Sequence, residues 1–96
     1  MSSEIAWLPS AARDVSRLRE FIQSSNPTAA VRAANRIKDA SKILEENPEA
    51  GMPVEELFPF RELFIPFGSG NYILRYRVAG TRVIIVSVKH SREDDN

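Results

Sequence analysis

Six positions late in the chain have side chains suited to chemistry: Arg61, Arg75, Arg77, Lys89, His90 and Arg92. Guanidinium and ammonium groups stabilise developing negative charge, and an imidazole exchanges protons near neutral pH. Such a set fits either phosphate chemistry or docking on an acidic protein surface. His90 is the only histidine and there is no cysteine, which excludes a thiolate nucleophile, a disulfide framework and a Cys/His metal site. No metal or other cofactor is expected. The acids Glu45, Glu46, Glu49, Glu55 and Glu56 read as a solvated helix end and loop. Gly68-Ser69-Gly70 has no lysine and no helix after it, so it is a turn and not a phosphate loop.

The elements that must position these cations lie between Phe60 and Arg92. Phe60 to Ile65, Asn71 to Val78 and Arg82 to Val88 read as three strands, broken first at Pro66 to Gly70 and then at Gly80-Thr81. A two-residue loop with glycine first suits a II′ hairpin. Its register pairs Ala79 with Arg82, Tyr76 with Ile85 and Leu74 with Ser87. Because side chains alternate across a strand, Tyr72, Leu74, Tyr76, Val78, Val83 and Ile85 share a core face. The opposite face receives Ile73, Arg75, Arg77, Ile84, Val86 and Val88, a mixture of arginine and aliphatic residues that suits docking better than solvation. The tyrosines are separated from the arginines, so a nucleic-acid stacking platform is not expected.

Upstream, Ile5 to Leu8 is a short apolar segment read as an edge strand. Ser10 is placed to cap a helix whose apolar stripe is Ala11, Val15, Leu18 and Ile22, with Ala12 and Phe21 beside it and Arg13, Asp14 and Arg17 facing away. Asn26 caps a second helix with Pro27 at its first position, running to about Glu46 with Ala30, Ala33, Ala34, Ile37, Ala40, Ile43 and Leu44 inward. Glu49 to Pro59 reads as an irregular linker. The expected fold is α+β, in the order β-α-α-β-β-β, with a helical hairpin on one face of a small, mainly antiparallel sheet.

Ninety-six residues make one domain, 1–96, and thirteen basic residues balance thirteen acidic ones. A neutral chain is a poor polyanion binder, so no direct nucleic-acid partner is expected. No apolar run approaches a membrane span and the start lacks a signal-peptide pattern, so the expected setting is cytoplasmic, with no membrane partner.

The order of these pieces, Asn47-Pro48 and Gly51, then Phe60-Arg61-Glu62-Leu63, then Tyr72-Ile73-Leu74-Arg75-Tyr76-Arg77-Val78, then Val88-Lys89-His90-Ser91-Arg92, resembles the RelE/ParE superfamily of toxins from type II toxin–antitoxin modules. The resemblance spans essentially the whole chain and is stronger to the ParE branch. It implies a ParD-like antitoxin as partner and DNA gyrase as target. The six cationic positions become candidates for target binding, and Ile73, Ile84, Val86 and Val88 for antitoxin binding. The RelE branch implies instead ribosome-dependent mRNA cleavage by basic residues and a late tyrosine. Here Arg61 and Arg92 match that pattern, whereas Leu63 and Ile73 stand at two of its basic positions and no tyrosine follows Arg92. No catalytic residue is therefore assigned. A third reading is an antitoxin-binding homologue without toxicity.

Overall fold

Asn26 and Pro27 open the longest element. In the computed structural model, which describes residues 2–24 and 26–92, the Asn26 side chain accepts a hydrogen bond from the Ala29 N–H at 3.1 Å, as its N-cap role requires. Helix α2 runs Pro27–Glu46 and buries Ala30, Ala33, Ile37, Ala40 and Leu44. Its partner α1, Pro9–Gln23, buries Ala11 and Leu18 and packs Val15 and Ile22 against the same core. The apolar stripes are narrower than the sequence implies: Ile43 is 52% exposed, Phe21 is 78% exposed, and Ala12 is also exposed.

Both helices lie on one face of a five-stranded sheet in the order β1-β5-β4-β3-β2. Strand β1 (Glu4–Trp7) is parallel to β5 (Arg82–His90), and β4 (Gly70–Ala79), β3 (Arg61–Phe67) and β2 (Met52–Pro53) follow antiparallel. The expected order thus holds with one addition, the two-residue β2, which falls inside the segment read as linker. Two residues carry no periodicity to detect.

The β4–β5 turn is as expected: Ala79 faces Arg82, and Gly80 sits at φ +62° with no positive φ at Thr81, which fits a II′ turn. The β3–β4 connection repeats the device at Gly68, φ +64°, so β3 extends through Pro66 to Phe67. The expected register fails beyond Tyr76–Ile85. A bulge between Arg75 and Tyr76 on β4 leaves Val86 as the extra residue of β5, and Leu74 then pairs with Val88 instead of Ser87. One extra residue inverts every later side chain. Val88 is therefore fully buried on the helix side, not on the open face where alternation alone puts it.

Helix α1 holds this bulge in place. Strand β1 ends at Trp7, so among the described residues the outer edge of β5 past Ile85 has no strand beside it. Ser10 Oγ donates to the Val86 carbonyl at 2.7 Å, and Asp14 Oδ2 accepts the Val88 N–H at 2.9 Å. Ser10 accordingly does not cap α1, which starts at Pro9 with no side-chain cap, and Asp14 is not a purely solvent-facing residue.

Candidate functional site

The sheet has one face without helices. Register places Met52, Glu62, Phe64, Ile73, Arg75, Arg77, Ile84 and Lys89 on it, alternating with core residues. Phe64 is 47% exposed and Met52 66%, which is large for apolar side chains outside a docking surface. Arg75 stands directly opposite Glu62, and its Nε and Nη2 donate to Glu62 Oε2 at 3.0 and 2.8 Å. Its charge is spent inside the sheet. Arg77 and Lys89 enter no hydrogen bond or ion pair among the described residues, which leaves them as the cations this face presents.

The other three cationic candidates are elsewhere. Arg61 faces Tyr76 across the β3–β4 ladder, on the helix side, where Nη1 donates to the Gly51 carbonyl at 2.8 Å and the Glu49 carbonyl at 3.4 Å. It pins the linker after α2. Tyr76, fully buried, completes that pin: its hydroxyl donates to the Pro48 carbonyl and accepts the Gly51 N–H, each at 2.8 Å. Burial raises the Tyr76 pKa above its ordinary 10.0, against the opposing pull of the Gly51 N–H and the nearby Arg61 charge. A Cβ at Gly51 would lie 2.6 Å from that hydroxyl, so only glycine fits there.

His90 pairs with Tyr72 across β4–β5 and also faces the helix side, its ring 4.9 Å from that of Tyr72 in an edge contact. Its Nδ1 accepts the Arg92 backbone N–H at 3.1 Å, which puts the proton of the neutral ring on Nε2, 3.5 Å from the Phe67 carbonyl. Arg92 follows in the turn beyond β5, its side chain close to Gly70. The six cations therefore do not converge. Arg77 and Lys89 share the open face, Arg75 is paired with Glu62 there, and Arg61 and His90 face the opposite, helix side. Of the aliphatic candidates, Ile73 and Ile84 sit half-buried on the open face, Val86 is the half-buried bulge residue, and Val88 belongs to the core.

Three features of the surface are not legible from strand periodicity. Phe64 joins the open face only because β3 pairs Phe64 with Ile73. On the helix side, an open groove of about 590 Å³ lies between α2 and the β3–β4 turn, lined by Arg32, Asn35, Arg36, Asp39, Phe67 and Gly68 among others. A smaller apolar groove of about 300 Å³ lies where Trp7 meets Ala12, Val15, Ala34 and Ile37. Among the described residues no group of His, Cys, Asp or Glu is placed to hold a metal ion, and no helix is long and apolar enough to cross a membrane.

Comparison with known proteins decides the family. The model of the ParE toxin of the type II toxin–antitoxin system parDE matches residues 5–95. The chain belongs to the ParE toxin family. Within the wider RelE/ParE superfamily it is 34% identical over 85 residues to Toxin RelE3 of Caulobacter vibrioides, covering 88% of this chain and 90% of that one. It is 35% identical over 83 residues to Toxin RelE1 of the same organism, covering 86% and 87%. The fold matches a chain of the chromosomal ParDE system from P. aeruginosa with TM-score 0.80 at 23% identity, over 93% of this chain and 96% of the other. A chain of the RelBE2 toxin–antitoxin complex from Mycobacterium tuberculosis superposes with TM-score 0.57 at 20% identity, over 94% and 99%. The two-helix, open-sheet architecture is thus the superfamily fold.

Proposed function

We propose that this ParE-family toxin acts by binding rather than by catalysis, inhibiting DNA gyrase through the open sheet face, and that a ParD-like antitoxin neutralises it by covering the same face. The observation that carries this reading is the composition of that face. It presents Phe64, Ile73 and Ile84 with Arg77 and Lys89, the Glu62 carboxylate there is tied to Arg75, and the histidine His90 faces the helix side. Phosphodiester cleavage requires a base, an acid and cations around one phosphate. An apolar centre with flanking cations is instead the anatomy of a protein–protein contact. The family match and the named partners of the similar structures, ParDE and RelBE2, support an antitoxin partner.

The test is a gyrase supercoiling assay with antitoxin-free protein, scoring lost supercoiling and accumulated linear DNA. Inhibition that falls about tenfold with Ile84→Asp is expected if this face makes the contact. No effect on gyrase at excess protein, with cleavage of mRNA on translating ribosomes, would replace this mechanism with the ribonuclease one. Harmless expression in the absence of antitoxin would point to a homologue that only binds antitoxin.

A further inference from the structure

Among the described residues Phe58 is the most exposed of the large apolar side chains, at 93%, and the loop that carries it is closely bonded. The Leu57 N–H donates to the Val54 carbonyl at 3.0 Å and the Phe60 N–H to the Leu57 carbonyl at 2.7 Å, which makes two successive turns. The Val54 N–H donates to the Phe60 carbonyl at 2.9 Å and closes their base. Phe58 is thereby held at the corner of the second turn, a ring fixed in water that loses little freedom on being covered. Glu55 and Glu56 precede it, both exposed and neither in a hydrogen bond or ion pair among the described residues.

The helix layer holds a recess of complementary chemistry. The groove of about 300 Å³ is walled by Trp7, Ala12, Val15, Ala34 and Ile37, all apolar, with the exposed Lys38 completing its lining. Lys42 follows one turn along α2, also exposed, and neither lysine has a hydrogen bond or ion pair among the described residues. Loop and groove belong to opposite edges of the sheet: Trp7 ends β1, the loop follows β2, and β5, β4 and β3 lie between. At about 4.8 Å per strand those edges are roughly 19 Å apart, so a chain does not seat its own Phe58. We propose that the groove of one copy receives Phe58 from a second copy of this chain, with Glu55 and Glu56 set against Lys38 and Lys42. The apolar walls take the ring and the opposed charges set its approach. Phe21, 78% exposed, belongs to helix α1, and Phe64 lies on the open sheet face, so neither projects as a loop does. Each copy carries both halves of the contact, so reciprocal contacts close a dimer, whereas single contacts leave ends to which further copies add. One aromatic side chain covers roughly 150–250 Å². Even a reciprocal pair falls short of the roughly 1,200 Å² of a standard interface, so the association is weak, with Kd on the order of 0.1 mM. The contact does not rest on the toxin mechanism proposed above.

The test is sedimentation equilibrium of the full chain over a range of about 0.02 to 1 mM, which brackets that affinity. Mass rising with concentration is expected. Phe58→Ser, at an exposed position, and Ala12→Gln, on the exposed wall of the groove, should each weaken the association about tenfold with unchanged thermal unfolding. Lys38→Glu should weaken it about threefold, and adding Glu55→Lys with Glu56→Lys should restore it. Mixing identifies the two halves. Phe58→Ser protein labelled with ¹⁵N keeps its groove, and unlabelled Ala12→Gln protein keeps its loop, so the mixture should shift the amides of Val15, Ala34, Ile37 and Lys38. Unlabelled Phe58→Ser protein added in place of that partner should shift none of them. A constant monomer mass, parent-level association of Phe58→Ser, or a mixture that moves no groove amide would each overturn the proposal. Groove amides that respond to benzene and not to the mixed partner would make the recess a small-ligand site and overturn it as well. None of these readings involves gyrase, so failure here leaves the toxin mechanism standing and failure there leaves this contact standing.

Discussion

Tyr76 shows how a single side chain joins the helical half of the chain to the sheet. Its ring is buried between the layers, and its hydroxyl holds both Pro48 and Gly51 at the exit of α2. Tyr76→Phe keeps the ring but leaves the buried Gly51 N–H without its acceptor, a loss of about 1–3 kcal/mol. Urea unfolding should show that loss as a lower midpoint with the slope unchanged. The raised pKa adds a signature in alkali. Above pH 10 the unfolded chain releases the Tyr76 proton while the folded one retains it, so the unfolded state binds fewer protons and stability falls as pH rises. Below pH 10 the contribution is complete. Tyr76→Phe should therefore flatten part of the decline in stability above pH 10, measured by urea titration at successive pH values. Gly51→Ala should disrupt the same network by contact, since its methyl meets the Tyr76 hydroxyl, the ring carbon Cε1 and the Glu62 carbonyl together.

At the scale of elements, the bulge in β5 matters most. It moves Val88 into the core and leaves Val86 O and Val88 N pointing outward, where Ser10 and Asp14, four apart on α1, meet them. Asp14→Ala should cost about 1–3 kcal/mol and Ser10→Ala about 1 kcal/mol. A double-mutant cycle by denaturant unfolding should show coupling between them, because both brace one distortion. This is also where the sequence stops being a guide. The alternation of Tyr72, Leu74 and Tyr76 and the glycine at Gly80 identify the hairpin and its first pairs, since period and turn chemistry are local. The bulge depends on how α1 docks on β5, a contact about seventy residues apart in the chain. Once it is present, the assignment of Val88 to the open face cannot hold. The same limit applies to Arg61 and His90. Their residue types advertise chemistry, but pairing with Tyr76 and Tyr72 turns both away from Arg77. Asn26-Pro27, by contrast, marks the start of α2 from neighbouring residues alone, and the structure places it there.

For the whole molecule, the sheet separates two surfaces with different chemistry. One is the open face around Phe64, Ile73, Ile84 and Arg77, and the other is the helix side with its apolar groove at Trp7 and Ile37. If target and antitoxin compete for the open face, while the groove takes only Phe58 of a second copy, substitutions on the two surfaces should have different consequences. Ile84→Asp places an unpaired charge at the apolar centre and should weaken both gyrase inhibition and antitoxin binding, each by about tenfold. Phe58→Ser removes the groove's occupant and should weaken self-association by about tenfold while gyrase inhibition stays at the parent level. Because the charges beside the groove are exposed, raising salt from 0.05 to 0.5 M, conditions of roughly 14 and 4 Å screening length, should erase most of the difference between the parent and the Lys38→Glu protein but not that between the parent and Phe58→Ser. The measurements are self-association by sedimentation at both salt concentrations and supercoiling inhibition at one. Equal loss of both activities in the Phe58→Ser protein would mean that the loop also serves the target, and the separation of surfaces would fail.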